Sequence, residues 1–451
     1  MSRLIVISNR VSAPRADSAT GTQGGLAVAL AAALRDHRGL WFGWSGETAE
    51  EFTGHIDLQR HGGVTTATID LEEQDVDEYY NGYANRTLWP LFHYRIDLAE
   101  YDRSFAGGYE RVNERFAETV TPLIEPDDLV WVHDYHLIPL GQQLRARGVR
   151  NRIGFFLHIP WPPARLMVSL PFHEGLVLSM LAYDVIGFQT EEWLESFRHY
   201  VELGFIHVGD RSVHAGAYPI GIDYDEFVKA AASPQARTAF ERMRHSAAGR
   251  RTIIGVDRLD YSKGLEERFL GYRRFLEEHA DCQGKLFLLQ IAPPSRGEVA
   301  TYEVIRERLD ELSGRINGEF AEVDWVPLRY VNQGYSREDL AGFYRAAEIA
   351  LITPLRDGMN LVAKEYVAAQ DPEDPGVLIL SRFAGAALQL HDAILVNPYS
   401  KEEISDAILQ ALAMPRKERM RRWRAMHEVV KRDDVLAWRK AFVAALTASG
   451  G

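Results

Sequence analysis

The sequence has 451 residues, which is too long for a single hydrophobic core. Its composition, 46% hydrophobic and 25% charged residues, is ordinary for a globular protein. A formal net charge of −13 argues against sequence-independent nucleic-acid binding, which depends on clustered Lys and Arg. No apolar run approaches the roughly 20 residues that span a bilayer, and the single cysteine, Cys282, excludes an internal disulfide and fits a reducing cytoplasm.

Short apolar runs alternate with amphipathic helical runs along the whole chain, which is typical of parallel α/β sheets. The first run is too short for the core of a signal peptide and is interpreted as a strand. The predicted strands are 4–8, 129–133, 154–157, 185–188, 252–256, 285–290, 349–353, 377–380 and 394–396.

This alternation predicts two doubly wound, Rossmann-like domains with parallel sheets that face each other across a cleft. We place the boundary in the segment 218–223, which contains a proline and a glycine. The expected domains are 1–222 and 223–451, with a last helix that can cross back to the N-terminal domain.

Polar residues follow the ends of seven predicted strands. Ligands of open α/β sheets bind outside the carboxyl ends of the strands, so the set marks a candidate site. Each residue alone could equally be an ordinary loop side chain. The seven are Arg10, Asp134, His158, Gln189, Arg258, Arg296 and Asp357.

The most informative segment is 356–365 (RDGMNLVAKE), which follows the strand at 349–353 and opens a helix. A helix N-terminus with bare N–H groups is a natural anion site. The carboxylates of Asp357 and Glu365 can accept hydrogen bonds from sugar hydroxyls. Together these features favour a pocket for a sugar joined to a diphosphate.

A second segment, 258–264 (RLDYSKG), lies between a predicted strand and a predicted helix. Arg258 and Lys263 could neutralise a departing diphosphate, as Lys and Arg clamps do elsewhere. The alternative interpretation of segment 258–264 is a surface loop with ordinary ion pairs. The sugar-diphosphate pattern of segment 356–365 favours the diphosphate site over this alternative. The glycines of segment 21–26 do not match a nicotinamide-binding motif, and they permit either close backbone approach to a ligand or a flexible turn.

We expect no metal and no other cofactor. The pairs Asp75/Asp77 and Asp223/Asp225 resemble a metal-binding D-x-D motif, but acids at helix N-termini explain them better. Arg258 and Lys263 would act in place of an ion. The basic segment 416–424 is interpreted as a solvated helix face. The aromatic residues of segment 75–89 are interpreted as core packing rather than sugar contacts, and those of segment 41–46 leave both interpretations open.

Several motifs, in order along nearly the whole chain, resemble the α,α-trehalose-6-phosphate synthase family. They are SNR (8–10), GGL (24–26), WFGW (41–44), LWP (88–90), HDYH (133–136), FLHIP (156–160), RLDYSKG (258–264) and DGMNLV (357–362). The resemblance implies a B-type glycosyltransferase fold. It also implies retaining, metal-independent transfer of glucose from UDP-glucose to glucose 6-phosphate, which gives trehalose 6-phosphate and UDP.

The resemblance further implies roles for individual residues. Arg258 and Lys263 would hold the donor diphosphate, and Asp357 and His158 the donor glucose; these four form the expected catalytic set. The expected donor-binding set is Gly25, Arg258, Lys263, Tyr335, Asp357, Asn360, Leu361, Val362 and Glu365. The expected acceptor-binding set is Arg10, Tyr80, Trp89, Asp134 and Arg296.

Two alternatives stay open: a relative that uses another acceptor, such as a glucosylglycerol-phosphate or pseudo-disaccharide phosphate synthase, and a non-catalytic sugar-phosphate sensor. The complete acceptor set disfavours the first, and the retained Arg258, Lys263 and Asp357 disfavour the second. We expect a cytoplasmic homo-oligomer that binds small molecules and neither nucleic acid nor membrane. A separate trehalose-6-phosphate phosphatase would act downstream, and the sequence leaves the preferred donor nucleotide open.

Overall fold

The computed structural model describes residues 3–11, 34, 39–61, 64–203, 212–294 and 300–448. The chain divides into two compact units. It passes from the first unit to the second at Gly221 and returns to the first at Val435. No helix in these described ranges is long and apolar enough to cross a membrane.

The first unit is built on an eight-stranded sheet in which every pair is parallel except β3 with β4. Its strands run in the spatial order β3-β4-β2-β1-β5-β6-β7-β8. They are β1 (Leu4–Arg10), β2 (Leu40–Ala49), β3 (Asp57–His61), β4 (Val64–Glu72), β5 (Leu129–His133), β6 (Arg152–Phe156), β7 (Val185–Phe188) and β8 (His214–Ala217).

Helices cover this sheet, and one of them is a long π-helix, Val76–Leu88, which closes with the N–H of Trp89 donating to the carbonyl of Ala84 five residues earlier. The α-helices are Glu73–Asp75, Trp89–Phe92, Arg103–Val120, Leu140–Ala146, Ala164–Met167, His173–Met180, Glu191–Glu202 and Val435–Ala448. The 3₁₀-helices are Ile96–Leu98, Thr121–Leu123 and Tyr135–Leu137.

The second unit has a six-stranded, fully parallel sheet with the spatial order β11-β10-β9-β12-β13-β14. Its strands are β9 (Arg251–Val256), β10 (Leu286–Ile291), β11 (Leu328–Val331), β12 (Ile349–Ile352), β13 (Val377–Ser381) and β14 (Ile394–Val396). Its helices are Tyr224–Ala231, Pro234–Ala247, Leu265–Glu278, Ala300–Phe320, Arg337–Ala346, Leu361–Ala369, Lys401–Ala413 and Arg416–Arg432, with 3₁₀-helices Tyr261–Lys263, Ala280–Cys282 and Gly385–Leu388.

The strand order locates the candidate ligand sites. Counted within its own unit, the second sheet runs 3-2-1-4-5-6, the order of doubly wound nucleotide-binding folds. The parallel strands of the first sheet follow the same order with one more strand at the end. The switch points therefore lie between β1 and β5 and between β9 and β12, where ligands bind at the carboxyl ends of the strands.

The predicted fold class and all nine predicted strands are confirmed, with ends shifted by at most two residues. Sequence analysis missed β2, β3, β4, β8 and β11. β2 mixes tryptophan, glycine and serine, and β8 is short and rich in alanine and glycine, so neither has an apolar run. β3 and β4 alternate polar residues because they form the antiparallel edge of the sheet.

The C-terminal helix, Val435–Ala448, packs on the sheet of the first unit through Phe442. The Phe442 ring stacks on Trp131 of β5, with centroids 4.6 Å apart and planes 9° from parallel. It fits because β6 and β7 carry glycines at this place. A Cβ added at Gly154 or Gly187 would lie 2.7 or 2.8 Å from the Phe442 ring, closer than real Cβ contacts.

We predict that Phe442→Ala lowers the free energy of unfolding by about 3–5 kcal/mol, because it leaves a cavity over two glycines that the sheet cannot fill. Urea unfolding followed by tryptophan fluorescence measures the loss. Leu436→Ala is the matched control on the same helix: Leu436 is 41% exposed, and its truncation should change stability by no more than about 0.5 kcal/mol. Equal losses in the two variants would contradict the packing role of Phe442.

Candidate functional site

In the second unit, the loop after β9 brings two cations to the switch point. Arg258 follows the strand and is exposed. Lys263 ends the 3₁₀-helix Tyr261–Lys263, and Gly264 turns the chain into the next helix with φ +62°. A Cβ on Gly264 would lie 2.4 Å from the carbonyl oxygen of Thr353, so glycine is required for this close approach.

Lys263 and Asp357 form an ion pair across the switch point. The Nζ of Lys263 donates to Oδ2 of Asp357 at 2.5 Å, and the two side chains are 13% and 15% exposed. Asn360 Nδ2 donates to the same oxygen at 3.2 Å, and the N–H of Met359 donates to Oδ1 at 3.4 Å. Three donors thus fix the Asp357 carboxylate. The sequence motifs imply that Asp357 binds the sugar and that Lys263 binds the diphosphate.

The helix Leu361–Ala369 starts beside this carboxylate. Asn360 has φ +83° and caps the helix, with Oδ1 accepting from the N–H of Ala363 at 3.0 Å. The first N–H groups of an α-helix have no partner within the helix, so those of Leu361 and Val362 form an anion site. The structure therefore brings together the predicted donor residues Lys263, Asp357, Asn360, Leu361 and Val362.

Below the loop lies a buried cation that sequence analysis missed, Arg268. Its side chain is fully buried, and its Nη1 donates to Asp257 Oδ2 at 2.6 Å and to Gln290 Oε1 at 2.8 Å. Its Nε donates to Thr353 Oγ1 at 3.0 Å, and its Nη2 donates to the carbonyl of Lys263 at 3.3 Å. The available signal was an arginine on the inward face of an amphipathic helix.

Burial raises the pKa of Asp257, and the charges of Arg268 and Lys263 oppose that rise. Because an unpaired buried carboxylate is costly, Arg268 is the group that allows Asp257 to stay ionised under the loop.

Glu365 and Tyr335 lie further along the same unit. Burial raises the pKa of Glu365 to about 7, and Tyr344 donates its hydroxyl to Glu365 Oε2 at 3.4 Å. Tyr335 packs edge-on against Phe343 with ring centroids 5.1 Å apart, and its hydroxyl accepts from Gln333 Nε2 at 2.7 Å. These contacts lie away from the Lys263–Asp357 pair in the chain, and the assignment of Tyr335 to the donor base stays a prediction.

In the first unit, β1 ends at the exposed residue Arg10. The Arg10 guanidinium lies over the ring of Trp44, 5.6 Å from its centroid. Trp44 contacts Tyr80 edge-on, also with centroids 5.6 Å apart. Two predicted acceptor residues are therefore joined through Trp44, which sequence analysis left undecided between packing and sugar contact.

Tyr80 and Trp89 belong to one cluster of rings. Tyr80 stacks on His136 at 5.9 Å, and His136 lies against Tyr135 at 3.9 Å. Trp89 is buried and lies 5.6 Å from Tyr135. The interpretation as core packing is confirmed for Trp89, whereas Tyr80 is only half-buried.

Asp134 occupies a strained backbone position directly after β5, with φ +74° and ψ 167°. Such a conformation costs a residue other than glycine about 1–3 kcal/mol and persists where the surroundings enforce it. The Asp134 N–H donates to the carbonyl of Phe156 at 2.8 Å, and its Oδ1 accepts from the N–H of His158 at 3.1 Å. Asp134 therefore ties the end of β5 to the segment after β6, where His158 lies.

Gly25 and Arg296, the remaining predicted donor and acceptor residues, lie outside the described residues. Within the described part of the chain, no group of three or more His, Cys, Asp and Glu side chains could hold a metal. The two aspartate pairs differ in their surroundings. Asp223 caps the helix Tyr224–Ala231, and Asp75 is buried at a helix start, in contact with Arg111 and Arg115.

The family model of glycosyltransferase family 20 matches residues 2–448. A trehalose-6-phosphate synthase of Sinorhizobium fredii is 47% identical over 100% of this chain and 99% of its own. The crystal structure of a UDP-forming α,α-trehalose-phosphate synthase from Burkholderia vietnamiensis is 48% identical, with a TM-score of 0.96 over 99% of both chains. That of a Burkholderia xenovorans counterpart in complex with glucose-6-phosphate is 46% identical, with a TM-score of 0.94 over 99% of this chain and 100% of its own.

This chain therefore belongs to glycosyltransferase family 20, and the resemblance found in the sequence motifs is confirmed.

Proposed function

We propose that this protein is a retaining glucosyltransferase that moves glucose from UDP-glucose to glucose 6-phosphate and forms α,α-trehalose 6-phosphate and UDP. The observation that carries the proposal is the Lys263–Asp357 pair at the start of the helix Leu361–Ala369. It combines a cation and helix N–H groups for a diphosphate with a fixed carboxylate for a sugar. The full-length similarity to UDP-forming synthases supports the same reaction.

We assign the donor to the second unit. Arg258 and Lys263 neutralise the diphosphate, and the N–H groups of Leu361 and Val362 complete its site. Glu365 accepts from the ribose hydroxyls. Asp357, held by Asn360, would bind the glucose, and Tyr335 would stack on the base. Gly25 completes the proposed donor set.

We assign the acceptor to the first unit, consistent with the proposed division into an acceptor-binding domain, 1–222, and a donor-binding domain, 223–451. The Arg10 guanidinium is exposed and suits a phosphate. Tyr80, which is linked to Arg10 through Trp44, and Trp89 would contact the acceptor, and Asp134 would accept from an acceptor hydroxyl. Arg296 would add a second cation to the phosphate.

The reaction breaks the bond between C1 of glucose and the diphosphate oxygen and forms a bond from C1 to the acceptor hydroxyl oxygen on the same face. The hydroxyl proton passes to an oxygen of the departing phosphate. Lys263 and Arg258 stabilise the charge that develops on that phosphate. Asp357, held by three donors, suits sugar binding better than nucleophilic attack.

The acceptor alternatives and the sensor alternative gain no support from the relatives, whose names specify trehalose-phosphate synthesis. A homo-oligomeric state, a cytoplasmic location and a separate downstream phosphatase remain part of the proposal. The location rests on the single, half-buried thiol of Cys282.

The test is release of nucleoside diphosphate by the purified protein, with UDP-, ADP- and GDP-glucose in parallel, with and without glucose 6-phosphate, and with identification of the sugar product. Release that depends on glucose 6-phosphate and yields trehalose 6-phosphate supports the proposal and identifies the donor. Release only with glycerol 3-phosphate or a cyclitol would support the alternative acceptor. Silence with every pair, while the protein still binds the sugar phosphates, would support the sensor.

We predict that activity survives a strong chelator, because Arg258 and Lys263 supply the positive charge that a metal ion would give to the departing diphosphate. Turnover is measured before and after dialysis against EDTA, and again after addition of magnesium. Loss of turnover with EDTA and its recovery with magnesium would show that the enzyme needs an ion.

Lys263→Ala should lower kcat by about a hundredfold or more, because the transition state loses a donor to the leaving phosphate and Asp357 loses its ion-pair partner. Steady-state kinetics with both substrates saturating measures the effect. Lys285→Ala is the matched control, since Lys285 is exposed and precedes β10 at the opposite end of the strands. Unchanged turnover in Lys263→Ala would remove Lys263 from the mechanism.

The raised pKa of Glu365, about 7, predicts pH-dependent donor binding. As the pH falls through this value the carboxyl gains a proton and becomes a poorer acceptor for ribose hydroxyls. Between about pH 8 and about pH 6 the affinity for UDP-glucose should fall by about tenfold, which titration calorimetry without acceptor measures. Glu365→Gln should bind more weakly than the wild type at about pH 8 and show a flat profile. A flat wild-type profile would contradict the assignment.

A further inference from the structure

Three side chains at the carboxyl ends of β5, β6 and β7 form a hydrogen-bonded row. Gln189 follows β7, His158 follows β6, and His133 ends β5. Gln189 Nε2 lies 3.3 Å from His158 Nδ1, and His158 Nε2 lies 3.0 Å from His133 Nδ1. Both nitrogens of the His158 ring are therefore engaged within the protein.

The orientation of the Gln189 amide is set by the backbone. Its Oε1 accepts from the N–H of Ile220 at 2.9 Å, and the side chain is 1% exposed. Reversing the amide would point its NH₂ group at that N–H and leave two donors facing each other. Gln189 must therefore present its NH₂ group to His158.

This orientation determines where the protons of both histidines lie. Because Gln189 Nε2 is a donor, His158 Nδ1 must be the acceptor and its proton must be on Nε2. His158 Nε2–H then donates to His133 Nδ1, which places the His133 proton on Nε2. His133 Nε2 is buried with no hydrogen-bond partner, so the row ends there.

We propose that Gln189 is a positioning residue that holds His158 as a neutral imidazole with its proton on Nε2, and that this fixed neutral ring is required for glucosyl transfer. The second half of the statement rests on the proposed function and on the membership of His158 in the catalytic set that the sequence motifs imply. A second proton on His158 would have to enter at Nδ1, where the Gln189 NH₂ group already donates.

A neutral ring suits this place in the reaction. Cleavage of a glycosidic bond passes through an oxocarbenium-like state with positive charge on the sugar. An imidazolium beside the sugar would repel that charge, whereas the neutral ring does not. Burial lowers the pKa of His158 to about 3, in the same direction as the hydrogen bonds.

The surroundings of the His158 ring also matter for its charge. Phe156 and Trp438 pack on the ring, with centroids 4.6 and 5.9 Å away, and neither can carry a charge. The titratable residues that contact His158 within the described part of the chain are His133 and Asp134. Burial holds the pKa of His133 well below its usual value, and the neighbouring His158 ring shifts it in the same direction. Asp134 accepts from the His158 backbone N–H.

The test uses Gln189→Glu, which keeps the shape of the side chain. One carboxylate oxygen can still accept from the N–H of Ile220, while the other now accepts a hydrogen bond from a protonated His158 Nδ1 and so favours the imidazolium. The full chain is labelled with ¹⁵N-histidine, and its ring signals are recorded by NMR in the wild type and the variant. His158→Asn identifies the His158 signals among the fifteen histidines by their loss.

The wild type should show His158 neutral with its proton on Nε2 near neutral pH, and Gln189→Glu should show an imidazolium. The variant's kcat should fall by about tenfold or more at neutral pH, with the KM for UDP-glucose changed by less than about threefold, and should recover as the pH rises past the new pKa of the ring. A kcat that stays low at every pH would indicate a merely structural defect and overturn the proposal.

A second variant, Gln189→Met, keeps the experiment decisive if Gln189→Glu does not fold. It removes the amide without adding a charge, so His158 should show a mixture of tautomers. An unchanged single tautomer would overturn the role of Gln189.

The NMR result does not depend on activity. An inactive wild type with the expected tautomer would refute the proposed function alone, and an active wild type with His158 charged or protonated on Nδ1 would refute this inference alone.

Discussion

The site of the second unit depends on one buried ion pair, between Arg268 and Asp257. Burying a charged pair costs about several kcal/mol for each ion, unless good geometry and further hydrogen bonds offset this desolvation cost. Here Arg268 also donates to Gln290 and Thr353, so β10 and the segment after β12 both contribute acceptors. Removing one partner of such a pair typically costs about 3–5 kcal/mol, because the other charge is left buried and unpaired. The carboxyl ends of three strands are thereby fixed relative to one another.

The same arginine connects the core to the proposed donor site. Its Nη2 donates to the carbonyl of Lys263, which fixes the backbone from which the Lys263 side chain extends. Lys263 then pairs with Asp357, and Asp357 accepts from Asn360, which caps the helix that supplies the N–H groups. In this series, which runs from Arg268 through Lys263 and Asp357 to Asn360, each residue is held by a hydrogen bond to the residue before it. Groups held in place by hydrogen bonds in this way suit the electrostatic stabilisation of a leaving group, which needs preorganised donors.

Sequence reasoning succeeded where the signal is local. Buried parallel strands are short apolar runs, and the residue after each run lies at the carboxyl edge, so Asp357 and Asp134 could be identified without coordinates. Contacts between distant positions could not be found this way. Nothing in the sequence shows that Lys263 meets Asp357, 94 residues later, or that Arg268 points inward to Asp257. The π-helix Val76–Leu88 was missed for a different reason, because its acidic and aromatic residues also suit an α-helix or a loop.

Each unit has a residue other than glycine with a positive φ at the carboxyl end of its sheet. At Asp134 and at Asn360 the backbone has a positive φ, where glycine would be free of strain. Both positions instead carry a side chain that forms hydrogen bonds glycine could not make. Asp134 accepts from the N–H of His158, while Asn360 caps its helix and donates to Asp357. Strain of about 1–3 kcal/mol is tolerated at these two positions because each side chain forms hydrogen bonds that glycine lacks. A propensity rule that would place glycine there therefore fails at both.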